Sequence, residues 1–250
     1  MKKTLIALVA LAGTALGATQ SSLATGNTTA TRSLIVTSSI TLDNLTTIAQ
    51  TAGTNTALLG IETGASPTSN KWSIGVGTYS GSIVLREWDV LAGQSITGNG
   101  NKFTWIDAAG TAIEEPVLNT IFPIKNAIGA AITLGYTTNR VNGSTATSTT
   151  EGITTYGNQG LAVVFSVKYE DGSITSIYGI NSNKYNANTH TPTVYFDSDL
   201  LSTPVVSESS TPWTRATLVA ANEAAIVPEP TTATLSLLAL CGLAARRRRK

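Results

Sequence analysis

Apolar and polar residues alternate along this chain in short runs: Leu34 to Leu42, Lys71 to Val76, Ser82 to Val90, Lys102 to Ile106, Ala131 to Tyr136, Leu161 to Glu170, Ser173 to Ile180, Thr193 to Phe196 and Thr214 to Val219. A period of two puts successive side chains on opposite faces of a strand, and turn residues separate most of the runs. The pattern predicts strands packed as two sheets rather than a helical domain. Its clearest unit is Leu161 to Glu170, followed by Asp171-Gly172 and then Ser173 to Ile180. A two-residue Asp-Gly loop favours a type I′ turn. That turn sets Glu170 opposite Ser173, Tyr169 opposite Ile174, Phe165 opposite Tyr178 and Val163 opposite Ile180. Phe165 and Tyr178 are therefore expected on one face.

Helix signals are scarce. Asp43 to Ala49 opens on an N-cap residue and spaces its apolar residues at three, which suits a helical turn or a plain one. Asn119 to Ala130 is ambiguous, because Pro123 interrupts it. Asn142 to Thr150 has no apolar periodicity and is expected to be a long exposed loop. No fixed-period repeat or linker divides residues 18–222, so they are expected to form one β-sandwich domain.

The two ends have a different pattern. Residues 1–17 run from Lys2-Lys3 through an apolar stretch, Leu5 to Leu16, to the small residues around Gly17. That order describes a cleavable secretory signal, with cleavage expected near Gly17/Ala18. Residues 223–230 are expected to be a linker ending in Pro228-Glu229-Pro230, and residues 231–250 a membrane-spanning helix closed by Arg246-Arg247-Arg248-Arg249-Lys250. The fifteen uncharged residues Thr231 to Ala245 reach about 22 Å as a helix, against a hydrocarbon core of about 30 Å. Basic residues in such a cluster stay on the cytoplasmic side, so the tail acts as a stop-transfer segment with a marginal hold.

Composition supports sheet over helix: 12% of residues are charged and 6% aromatic, while Gly, Ser, Thr and Asn recur throughout. The formal charge of +1 conceals an acidic body. Between Ala18 and Val227 nine basic residues face fourteen acidic ones, a net charge of −5. Such a surface lacks the basic stripe that phosphate contacts require, and no nucleic-acid partner is expected. The single cysteine, Cys241, lies in the apolar tail, so residues 18–222 hold no disulfide, zinc-thiolate site or cysteine nucleophile.

The Pro228-Glu229-Pro230 triplet, the apolar segment and the Arg246 to Arg249 cluster match, in order and spacing, the PEP-CTERM sorting signal, which this tail closely resembles. The resemblance covers about the last two dozen residues. It implies recognition by an exosortase, a membrane-embedded cysteine transpeptidase or protease, with cleavage near Pro-Glu-Pro and transfer to the envelope or exopolysaccharide layer. The implied partners are the secretion machinery, the exosortase and the inner membrane, which would anchor the chain transiently before it reaches the cell envelope or outer surface. The number of predicted strands and the long intervening loops look similar to a concanavalin A-like jelly roll, the architecture of many lectin and laminin-G-type modules. An immunoglobulin-like sandwich is the alternative.

Candidate chemistry is sparse. Glu87-Trp88-Asp89 sets two carboxylates on one strand face, and jelly-roll β-glucanases carry a Glu-x-Asp-x-Glu or Glu-x-Asp-x-x-Glu strand. Here Leu91 and Ala92 stand where the second glutamate belongs, so the acid is missing. The strand is expected to be an exposed face with Arg86 and nearby lysines balancing its charge. His190 is the sole histidine and has no partner for zinc or Gly-x-Ser-x-Gly elbow. Asp197-Ser198-Asp199 offers oxygens to calcium, but two carboxylates fall short of a full ligand set; no other cofactor is expected. Of the tryptophans, Trp72 and Trp105 have core-like spacing with Ile74 and Phe103, whereas Trp213, after Thr211-Pro212, is the expected exposed ligand contact. The expected protein is thus a non-enzymatic envelope component with a structural, adhesive or glycan-contacting role. The alternatives are a divergent extracellular glycoside hydrolase and an inert matrix or spacer component.

Overall fold

The computed structural model describes residues 19–22, 32–48, 58–62, 71–89, 94–95, 103–114, 121–138, 148–150, 153–155, 159–181, 193–196, 200–202, 204–211 and 213–226. In chain order the strands are β1 (Thr19–Ser22), β2 (Arg32–Ile40), β3 (Leu59–Glu62), β4 (Lys71–Tyr79), β5 (Ser82–Asp89), β6 (Gln94–Ser95), β7 (Thr104–Asp107) and β8 (Ala112–Ile113). They continue with β9 (Ala127–Thr138), β10 (Ser148–Thr150), β11 (Ile153–Thr155), β12 (Gln159–Tyr169), β13 (Ile174–Asn181), β14 (Thr193–Phe196) and β15 (Val205–Ser209). A helix, α1 (Arg215–Ala225), follows the last strand.

The strands form a six-stranded sheet, β1-β14-β3-β4-β5-β6, a seven-stranded sheet, β15-β2-β9-β12-β13-β7-β8, and the separate pair β10-β11. Every ladder between them is antiparallel. One core joins the two large sheets. Ile74, Val76, Ile83, Leu85, Val194 and Phe196 from the first meet Leu34, Val36, Ile132, Leu134, Tyr136, Val163, Phe165 and Val167 from the second. The result is a β-sandwich, as the alternating pattern predicts. Phe122 sets its ring edge-on to Phe165 at 5.0 Å, and Trp105 and Phe103 lie in the same core, as their spacing predicts. No helix among the described residues is long and apolar enough to cross a membrane.

Two predicted features are corrected. First, the β12–β13 register is shifted by one residue: Phe165 pairs with Ile177, Val164 with Tyr178, Ala162 with Ile180 and Lys168 with Ile174. Phe165 lies in the inter-sheet core and Tyr178 on the opposite face. The loop takes in Glu170 as a third residue. The Gly172 amide donates to the Tyr169 carbonyl and the Tyr169 amide to the Ser173 carbonyl, both at 2.9 Å, while Gly172 sits at φ +84°. This is a type I turn closed by a glycine in the left-handed region. The two-residue type I′ geometry occurs instead at Ser80-Gly81, with φ of 47° and 79°, where Tyr79 pairs with Ser82.

Second, Thr214 to Val219 is not a strand but the cap and first turns of α1. The Thr214 hydroxyl accepts from the Thr217 amide, and the Thr217 hydroxyl accepts from the Thr214 amide, a reciprocal cap that satisfies two donors a strand would not need. Alanines at 216, 220, 221, 224 and 225 favour the helix. The helix continues through residues 223–225, and Ile226 beyond it is buried at 6% exposure, so folded structure enters the segment expected to be a linker.

Smaller differences are local. A single 3-10 turn, Leu42–Asn44, overlaps the start of the segment Asp43 to Ala49. Of the expected loop Asn142 to Thr150, the last residues form β10. The seven-stranded sheet explains the apolar run in β12: Leu161 to Val167 are all buried because the facing sheet covers one side and α1 the other, as in any strand enclosed on both faces.

Candidate functional site

Helix α1 is amphipathic at a spacing of four: Leu218 and Asn222 are fully buried and Ile226 nearly so. Leu218 packs with Ile106, Ala162, Val164, Tyr178 and Ile180 on the outer face of the seven-stranded sheet. Gly135 makes this approach possible, since a β-carbon there would lie 2.8 Å from Leu218 and 3.0 Å from Trp213. Under the helix runs a polar chain across four strands. Thr37 on β2 lies 3.1 Å from Thr133 on β9, which bonds Asn222 Oδ1 at 3.0 Å. Asn222 Nδ2 donates to Ser166 Oγ on β12 at 2.7 Å, and Ser166 reaches Ser176 on β13 at 2.7 Å. Buried polar groups without such partners would cost about 1–3 kcal/mol each.

Beside the helix, where its alanines leave room, a groove of about 610 Å³ is lined by Asp107 and Ala108 from the β7–β8 turn, Ile174, Ser176 and Tyr178 from β13, and Arg215, Ala216, Val219, Ala220 and Glu223 from α1. Arg215 is held at one end. Its Nη2 donates to the Asp107 carbonyl at 2.8 Å and to the Ala108 carbonyl at 3.2 Å, and its guanidinium lies 5.4 Å over the Tyr178 ring. The turn that presents these carbonyls repeats the β12–β13 loop. The Gly110 amide donates to the Asp107 carbonyl at 3.0 Å, the Asp107 amide to the Thr111 carbonyl at 2.9 Å, and Gly110 has φ +89°. One Asp107 carboxylate oxygen accepts from the Thr111 amide at 2.8 Å.

The residues singled out in the sequence lie elsewhere. Glu87 is not on an exposed, charge-balanced strand face. It points between the sheets, where Oε1 accepts from Trp105 Nε1 at 2.5 Å and Oε2 from the Phe103 amide at 3.2 Å, a clamp between β5 and the segment leading into β7. Its neighbour Arg86 is buried at 6% exposure. Desolvation lowers the Arg86 pKa, an effect opposed by the nearby Tyr79. Trp213 does not stand free: it is half-buried against the outer face of the sheet, with Nε1 enclosed and lacking a hydrogen-bond partner. The side chains of Trp72, Trp88 and Asp89, residues 197–199, His190 and the tail with Pro228, Glu229, Pro230 and Arg246 to Arg249 lie outside the described residues. Among the described residues no group of three or more His, Cys, Asp or Glu could hold a metal ion.

The strand-like alternation of Thr214 to Val219 hides the groove at the level of sequence, because the groove needs α1. The Thr214-x-x-Thr217 cap and the spacing of Leu218, Asn222 and Ile226 carry the helical signal once the window reaches past Val219. In comparisons with protein families, characterised proteins and solved structures, the chain matches none.

Proposed function

We propose that this is an exported cell-envelope protein of the PEP-CTERM type, whose sandwich has a concanavalin A-like jelly-roll topology and serves a structural or adhesive role in contact with polysaccharide. The observation that carries the reading is the tail: Pro228-Glu229-Pro230, an uncharged apolar segment and five terminal basic residues, in a chain whose first seventeen residues follow the secretory pattern. Two prolines fix φ and remove two amide donors, which keeps the strip before the apolar segment extended and open to a processing enzyme. Exosortase is the proposed enzyme, and the inner membrane a temporary hold.

The sandwich suits that destination. It has no cysteine to oxidise and rests on a core shared by two sheets. A non-enzymatic role is supported by Glu87, both of whose carboxylate oxygens accept hydrogen bonds, since a glycosidase acid must meet the scissile oxygen. Replacing the triplet by Pro228→Ala, Glu229→Ala and Pro230→Ala tests the sorting step. A full-length, uncleaved protein held in the inner membrane is expected; unchanged processing and placement would contradict it.

A further inference from the structure

The groove beside α1 has a defined polar pattern. Asn222 Oδ1 carries no hydrogen, so Thr133 donates to it, and Asn222 Nδ2 donates to Ser166. Ser166 is fully buried, and Ser176 is the acceptor within reach of its own hydrogen; leaving a buried donor unmade is costly. The Ser176 hydroxyl, accepting from Ser166, is thereby free to donate into the groove that it lines. Arg215 spends Nη2 on two carbonyls and, among the described residues, has no carboxylate at ion-pair distance, so the rest of its five-donor fork remains. Glu223 supplies an exposed acceptor eight residues further along α1, about 12 Å along the helix axis. Val219 and Ala220 lie between them along the helix, and Ile174, 39% exposed, lines the same groove.

We propose that this groove binds a neutral oligosaccharide, with sugar hydroxyls bonding to Arg215, Ser176 and Glu223 and an apolar ring face resting on Ile174 and Val219. Donors at Arg215 and Ser176, an acceptor at Glu223 and apolar side chains in the same lining match a ligand that carries hydroxyls around a carbon ring. An acidic sugar fits less well, because Asp107 and Glu223 outnumber Arg215 in the lining. A peptide strand is also disfavoured. The β7 ladder stops at Asp107 opposite Ile177, so only Ile174 to Ser176 would be left for strand addition, too few for a stable ladder.

The inference rests on the polysaccharide contact proposed above and gives it a location. The test is a titration of the full chain in detergent with cello- and malto-oligosaccharides, with oligogalacturonate as the acidic arm and a lysine-rich peptide as the peptide arm. Ala220 is exposed, so Ala220→Trp fills the groove at little cost to the helix. Glu223→Gln removes charge and keeps shape. Saccharide binding at least about tenfold weaker in Ala220→Trp, and weaker in Glu223→Gln, with unfolding midpoints unchanged, is the expected result. Absence of neutral saccharide binding, binding that Ala220→Trp leaves intact, or preference for the acidic or peptide arm would each overturn it. Normal tail processing with no saccharide binding would reject the groove while sparing the sorting reading; the reverse result would reject the sorting alone.

Discussion

Asn222 shows how one side chain can join an element to a sheet. It bonds hydroxyls on two strands from a fully buried position, at a point where an apolar residue would have met Thr133 and Ser166 with nothing to offer. Asn222→Ala is expected to cost about 1–3 kcal/mol in a urea titration, because Thr133 can turn back to Thr37 and Ser166 to Ser176, which limits the loss. A change below a few tenths of a kcal/mol would mean the polar chain does not hold the helix. Glu87 makes the same point between the two sheets. Its sequence context looked like a damaged catalytic strand, yet it binds an indole and a backbone amide across the interface. Nothing in Glu87-Trp88-Asp89 distinguishes those uses, since both need a carboxylate on an alternating strand.

At the scale of elements, strand existence was legible and strand register was not. β2, β5, β12 and β14 fall close to the runs of alternating residues, because burial of one face leaves a strong period of two. Register depended on whether Glu170 belonged to the strand or the loop, a choice of one residue that flips every facing side chain. The β15 strand was missed because all five of its residues are exposed, so no burial pattern marks it. The β12–β13 loop carries its own check. Asp171 Oδ1 accepts from the Ser173 hydroxyl at 2.6 Å and its amide at 2.9 Å. Those bonds, the hydroxyl's first and the amide's second, hold the Asp171 pKa below its ordinary value. A carboxylate whose pKa is lower when folded adds stability that is present above its unfolded pKa and lost as pH falls through the folded one. Asp171→Ala is therefore expected to be less stable than the parent at neutral pH, and the gap to close below about pH 4. A gap that persists in acid would assign the effect to something other than the carboxylate.

For the whole molecule, two sheets close one core and α1 covers the second face of the larger sheet, so the folded body extends to Ile226, two positions before Pro228. The candidate groove exists only because α1 docks there, which is why a pattern read strand by strand did not show it. The proposed sorting signal rests on linear order alone, basic after apolar after proline, and is argued without any tertiary contact. The most direct measurement is the intact mass of the protein recovered from the envelope of the cells that make it. The account predicts a species that begins near Ala18 and ends near Pro228-Glu229-Pro230, without the apolar segment or Arg246 to Lys250. A mature protein that retains Arg246 to Lys250 would contradict it.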